Sequence, residues 1–312
     1  MQELKSLKDI PTPPSNCAVA IGNFDGVHLG HRKILNVLVE DAKKSNLFPL
    51  LLTFHPHPAK ILTKKKIELL QTIEQRLDEI KKSGVQMTVV LSFDKELSQI
   101  SPEDFIRTIV VQKLKAKKVV VGDNFRFGID RTGDVSTLHK WAPHYGYSVQ
   151  SVAPVTIQGS VVSSSSIRKF LHQGDIERAN LLLGRAYEIE GTVVRGKSRG
   201  KRLGYPTANI HPLNDIAPPG IFISEVGIGS RTYPAITHVG SKPTFDETDI
   251  MIESYIIDYD GSLYQKKLRV FFLKKIREEK KFETPKALSL QIKNDLEKTR
   301  TFFKEQNSRS RV

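Results

Sequence analysis

A chain of 312 residues, 39% hydrophobic and 26% charged, has room for about two domains of ~100–200 residues each and enough apolar content to fold them. Its one cysteine, Cys17, excludes an intramolecular disulfide and a multi-cysteine metal cluster and fits a reducing compartment; with no apolar run of about 18 residues and no secretory leader, a cytoplasmic protein without a membrane partner is expected. The net charge of +14, spread over both halves, admits nucleic acid, an anionic surface or phosphorylated small molecules as partners.

From Ala18 to about Gly184, apolar runs of strand length alternate with amphipathic stretches of helix length. Cys17–Ile21, Phe48–Phe54, Thr88–Phe93, Val119–Val121 and Tyr147–Val155 read as buried strands, and Arg32–Lys44, Thr72–Ser83, Pro102–Leu114 and Val135–His144 as helices. This alternation predicts a parallel α/β sheet covered on both faces. Beyond Gly184 the pattern changes to consecutive strands, Tyr187–Arg195, Phe222–Ile228, Thr232–Val239, Met251–Asp258 and Lys267–Leu273, with turn signals between them, as in an antiparallel barrel or sandwich. A helix over Pro285–Phe303 closes the chain. The predicted domains are 1–184 and 185–312.

Gly22-Asn23-Phe24-Asp25-Gly26-Val27-His28-Leu29-Gly30-His31 joins the first strand to the first helix. Ligands of parallel sheets bind at the carboxyl ends of strands, and a helix N-terminus there offers free N–H groups to phosphate. Gly22 and Gly26 let the backbone approach a ligand. His28 and His31, three apart, can hydrogen-bond to phosphate oxygens and stabilise charge developing on a leaving pyrophosphate. No nearby Cys or carboxylate pair completes a metal site around these histidines.

Two loops, Thr53–Pro58 and Gly122–Gly128, follow the second and fourth strands, and their prolines and aromatics suit a stacked ring ligand or, equally, rigid loop packing. Ser163-Ser164-Ser165-Ser166-Ile167-Arg168 opens a helix with hydroxyls and a cation, fit for an anion or simply for an N-cap.

In the second half, Gly191–Ser198 matches the P-loop pattern letter for letter, yet its Thr-Val-Val centre forms strand and Arg199–Pro206 cannot be the helix a P-loop requires. Gly196–Gly204, with Lys197, Gly200 and three further cations, reads instead as a basic glycine-rich loop able to fold over a triphosphate. Thr207 and Asn209, in Pro206-Thr207-Ala208-Asn209, offer oxygen ligands to Mg²⁺.

Together these segments resemble the bacterial bifunctional riboflavin kinase/FMN adenylyltransferase (FAD synthetase) family. The Gly-x-Phe-Asp-Gly-Val-His-x-Gly-His pattern matches Gly22–His31, Ser-Ser-Thr-x-Ile-Arg matches Ser163–Arg168 with Ser165 for Thr, and Leu-Gly-Phe-Pro-Thr-Ala-Asn matches Leu203–Asn209 with Tyr205 for Phe. The resemblance implies a nucleotidyltransferase domain in which Gly22, Phe24, Asp25, Gly26, His28, His31, Ser164, Ser165 and Arg168 hold ATP, with FMN near His57, Asn124 and Phe125. It implies a kinase barrel in which Gly196, Lys197, Gly200, Gly204, Thr207 and Asn209 hold a second ATP and Mg²⁺. Glu253 stands where the family has its catalytic glutamate, and a carboxylate there can accept the proton of the ribityl 5′-hydroxyl. His28, His31, Arg168 and Glu253 are the expected catalytic residues. Ala186 for a common Pro, and His238, Ser254 and Tyr255 near the glutamate, depart from the family pattern.

The expected partners are therefore riboflavin, FMN and ATP, with Mg²⁺. A chain keeping only one activity, adenylyl transfer before phosphorylation, is the competing expectation. A nucleic-acid binder is disfavoured, because the chain carries no recognised signature for one.

Overall fold

The computed structural model describes residues 3–4, 12–13, 15–63, 67–196, 200, 204–243 and 248–309. Lys64–Lys66, Lys197, Arg199, Lys201–Leu203, Thr244, Phe245 and Arg311 lie outside them. The chain divides into two compact units, Met1–Ser163 and Ser164–Val312.

The first unit is a parallel sheet of β1 (Glu3–Leu4), β2 (Cys17–Ile21), β3 (Phe48–His55), β4 (Met87–Ser92), β5 (Ala116–Gly122) and β6 (Ser148–Val152), in the order β1-β4-β3-β2-β5-β6. Its helices are α1 (Leu29–Lys44), α2 (Pro58–Leu62), α3 (Ile73–Lys81), α4 (Lys95–Ser98), α5 (Pro102–Asp104) and α6 (Val135–Tyr145). A two-stranded ribbon, β7 (Thr156–Ile157) and β8 (Ser160–Val161), follows β6. Both sheet faces are covered, so the strands are continuously apolar. Cys17, Val19, Ile21, Leu50, Leu52, Val119 and Val121 pack with Phe105, Ile109 and Leu138. Their alternates Ala18, Ala20, Leu51 and Val120 pack with Leu35 and Leu38 of α1 and Ile80 of α3.

The helix expected over Pro102–Leu114 starts on the Ser101 cap, whose hydroxyl accepts from the Asp104 N–H, but widens into π-type turns over Phe105–Lys113. Leu114 N–H donates to Ile109 O at 2.9 Å, an i to i+5 bond. The wider turn lets Phe105, Ile106, Ile109, Val110 and Leu114 all reach the core, which 3.6-residue spacing alone would not.

In the second unit, α7 (Ser164–His172) and α8 (Ile176–Leu183) precede six antiparallel strands: β9 (Tyr187–Val194), β10 (Ala208–Pro212), β11 (Gly220–Ile228), β12 (Arg231–Pro243), β13 (Thr248–Ile256) and β14 (Lys267–Arg277). These close into a barrel in the order β10-β13-β12-β11-β14-β9, so the barrel alternative holds over the sandwich. Phe222 and Phe272 meet edge to face at 5.3 Å in its buried interior. The unit begins 21 residues before the change of pattern at 184/185, because α8 is bonded to the barrel: Asn180 Nδ2 donates to Phe272 O at 2.8 Å, and Tyr187 N–H donates to Asn180 Oδ1 at 2.7 Å. The last helix, α9 (Pro285–Arg309), is anchored where Arg277 donates from Nε and Nη2 to the buried Asp295 carboxylate, both at 2.9 Å.

Candidate functional site

In the first unit, β2 is followed in sequence by β3 on one side and flanked by β5 on the other, so the strand order reverses at β2/β5. Ligands of open α/β sheets bind at such a switch point, beyond the carboxyl ends of the strands. Gly22–His31 leaves β2 there, Asn124 and Phe125 follow β5, and His57 follows the neighbouring β3.

The turn is held in an unusual conformation. Phe24, Gly26 and Val27 have φ of 53°, 87° and 38°, left-handed values that are costly for the two non-glycine residues. A Cβ on Gly22 would stand 3.0 Å from the Phe24 ring, so any larger residue would require that ring to shift. His28 caps α1, its Nδ1 accepting from the His31 N–H at 3.2 Å. That bond occupies the Nδ1 lone pair, so the proton of the neutral ring is on Nε2, making that nitrogen a donor. The His28 and His31 rings stack at 3.7 Å with planes 13° apart, and Phe24 tilts against His31 at 5.0 Å. No acidic residue lies in the first turn of α1, so the helix dipole there is open to an anion.

Asp25 is buried and does not face solvent as a ligand would meet it: its Oδ1 accepts from the Leu70 N–H at 3.0 Å. His57 caps α2 by accepting from the Ala59 N–H at 3.2 Å. The Phe125 N–H donates to Gly122 O, and its ring stacks on Phe127 at 5.4 Å, while Asn124 is exposed. Ser164, Ser165 and Arg168 occupy the first turns of α7, again without an acidic residue, and belong to the second unit.

In the barrel, register brings distant residues together. Asn209 of β10 pairs with Glu253 of β13, which pairs with His238 of β12. Directly opposed residues share a sheet face. Their neighbours Ile210, Ile252 and Val239 fill the interior, so Asn209, Glu253 and His238 form a row on the outer face. His238 Nε2 lies 3.4 Å from Glu279 Oε1. The backbone folds tightly over this row: a Cβ on Gly196 would stand 2.2 Å from Asn209 Nδ2, and one on Gly200 would stand 2.3 Å from Tyr205 O and 3.4 Å from Thr207 Oγ1. Gly204 turns with φ of 84°. Gly191, first residue of the literal P-loop match, lies inside β9 so close to β10 that a Cβ would meet His211 O at 2.4 Å. It serves barrel packing, and the P-loop reading fails on structure as on sequence.

Among the described residues no group of three or more His, Cys, Asp or Glu is placed to hold a metal. The donors at Thr207 and Asn209 are neutral oxygens beside a glycine cradle, the chemistry of a Mg²⁺ that keeps its phosphate and water ligands.

Sequence reasoning missed Arg76, a charged residue on a helix that looks solvent-facing from its composition. It is buried, with its guanidinium aimed at backbone carbonyls. Burial lowers its pKa from the usual value, and the Asp25 charge opposes that shift. The register also makes His238, read from the sequence only as a departure from the family pattern near the glutamate, the direct cross-strand partner of Glu253.

Residues 10–166 match the family model described as FAD synthetase, and residues 183–303 match that described as riboflavin kinase. A bifunctional riboflavin kinase/FMN adenylyltransferase of Buchnera aphidicola subsp. Schizaphis graminum (strain Sg) is 34% identical over 313 residues, covering 97% of this chain and 99% of the relative. That of Escherichia coli (strain K12) is 33% identical over 294 residues, covering 93% and 94%. A crystal structure described as a macrolide-efflux protein from Streptococcus pneumoniae aligns with a TM-score of 0.90 at 30% identity, over 96% of this chain and 98% of that one. Its efflux description belongs to that protein; among the described residues here, no helix is long and apolar enough to cross a membrane. With both models in tandem and relatives matched over nearly their whole length, the chain belongs to the bifunctional riboflavin kinase/FMN adenylyltransferase family, transferases that make FMN and FAD from riboflavin and ATP.

Proposed function

We propose that the two activities are divided by sequence, residues 1–184 transferring the adenylyl group and residues 185–312 phosphorylating riboflavin. The extents of the two family matches support this division. In adenylyl transfer an oxygen of the FMN phosphate attacks the α-phosphorus of ATP, the α–β phosphoanhydride bond breaks, and pyrophosphate leaves. The FMN phosphate is already an adequate nucleophile, so the protein positions the reactants and stabilises the departing charge. His28 and His31 do the latter, and the stacked pair at an unopposed helix N-terminus is the observation that carries this assignment. Gly22, Phe24 and Gly26 shape the ATP cradle and Asp25 holds it from behind, while His57, Asn124 and Phe125 serve FMN. Ser164, Ser165 and Arg168 supply hydroxyls and a cation for phosphate.

In the kinase reaction the riboflavin 5′-hydroxyl attacks the γ-phosphorus of ATP and ADP leaves. Glu253 takes the hydroxyl proton, and Gly196, Lys197, Gly200 and Gly204 form the loop over the phosphates. Mg²⁺ held by Thr207 and Asn209 would neutralise phosphate charge when bound. The alignment of Asn209 with Glu253 across β10 and β13 is what supports this reading.

The test is a pair of variants given ATP and Mg²⁺, with flavins separated by chromatography. His28→Ala should form FMN from riboflavin at the parent rate and no FAD. Glu253→Gln should form no FMN and yet convert supplied FMN to FAD. Loss of both activities in either folded variant would sink the two-site assignment.

A further inference from the structure

The strained Gly22–His31 turn needs something to hold it, and the structure supplies it from behind. Arg76, on α3 and 4% exposed, donates from Nη1 to Asn23 O at 2.8 Å and from Nη2 to Phe54 O at 2.9 Å. One rigid guanidinium thus ties the turn after β2 to the end of β3. Thr53 Oγ1 donates to the same Asn23 carbonyl at 3.2 Å, and Asp25 is fixed by the Leu70 N–H just ahead of α3. The α3 helix is itself fixed at that end by a reciprocal Thr72/Gln75 capping box. The three bonds to Asn23 O and Asp25 Oδ1 end on the residues between β2 and the His28 cap, where φ is positive at Phe24, Gly26 and Val27. Strain of this kind persists only where surrounding contacts over-determine it.

We infer that Arg76 is a positioning residue for adenylyl transfer: it holds the phosphate turn in the conformation that presents His28 and His31, and does so through two backbone carbonyls without touching substrate. This rests on the reading of Gly22–His31 as the ATP cradle. A lysine cannot replace it, because a single ammonium lacks the planar fork that spans two carbonyls.

The experiment is steady-state FAD formation by the full chain carrying Arg76→Lys, with riboflavin phosphorylation by the same preparation as the internal standard. The kcat for FAD formation should fall about ten- to a hundredfold, the cost of misplacing reacting groups by an ångström, with KM for FMN within about twofold and riboflavin kinase kcat unchanged. A structural role alone would lower both rates in proportion to the folded fraction. Either that proportional loss, or FAD formation within about twofold of the parent, overturns the inference. Should the lysine variant not fold, Thr53→Val decides, since it removes one donor from Asn23 O and keeps the side-chain shape. A fall of about two- to fivefold in the same kcat supports the inference and no change overturns it. His28→Ala separates the two readings: if it retains FAD formation the cradle assignment fails, and if it alone loses FAD formation only the role of Arg76 fails.

Discussion

Three buried hydroxyls cross the barrel wall in a chain. Ser224 Oγ and Thr237 Oγ1 lie 2.7 Å apart, Thr237 Oγ1 and Ser254 Oγ 2.8 Å apart, and all three residues are fully buried. Ser224 Oγ also donates to Ala235 O at 3.2 Å, so direction can propagate along the chain. Thr237→Val preserves shape and removes the central link, taking away the bond that serves Ser254. An orphaned buried hydroxyl costs about 1–3 kcal/mol, so the variant should unfold at lower urea with an unchanged m value. An unaltered midpoint would show that the chain contributes nothing. At this scale the residues most legible in sequence were those whose chemistry is local: His28 and His31 meet because they are three apart at a helix start. Thr237 and Arg76 were illegible for the opposite reason, since a hydroxyl in a strand and an arginine in a polar helix read as surface until the burial around them is known.

Among the elements, α6 shows a start signal with a pH signature. Asp134 caps it, accepting from Ser136 Oγ at 2.6 Å, from the Thr137 N–H at 2.9 Å and from Thr137 Oγ1 at 3.1 Å. These bonds, the Ser136 hydroxyl first, pull the carboxyl from 3.8 down to about 2. A carboxyl depressed on folding stabilises above its unfolded pKa and stops doing so as pH falls through the folded one. Asp134→Ala should therefore lower Tm by a few degrees at pH 7, and the gap to the parent should close between about pH 4 and pH 2. A gap that stayed constant across that window would mean the cap acts without its charge. The helices and the parallel strands were legible because apolar periodicity and caps are short-range signals. The π-type turns at Phe105–Lys113 were not, and of β10 only an extended start at Pro206–Asn209 was. The first answers to the shape of the core, and the second is five residues whose strand character comes from being flanked by β9 and β13.

For the whole molecule, the decisive difference lies in how each unit assembles its chemistry. The turn proposed for adenylyl transfer is contiguous, so the sequence carried it almost complete. The row proposed for the kinase joins Asn209, His238 and Glu253 through strand register, so without the family resemblance no spacing would have selected Glu253 from the other acids. Two sites with separate chemistry make a further demand. On the proposed assignment, His28→Ala should release FMN it cannot use, and Glu253→Gln should use FMN it cannot make. Neither variant alone should yield FAD from riboflavin, ATP and Mg²⁺, but an equimolar mixture should, after a lag while FMN accumulates in solution. The lag should shorten as the His28→Ala partner is raised, because that partner sets the FMN supply. If the mixture stayed without FAD while each variant showed its single activity, FMN made by one chain would be unavailable to another, and the product of the first site would have to reach the second without entering solution.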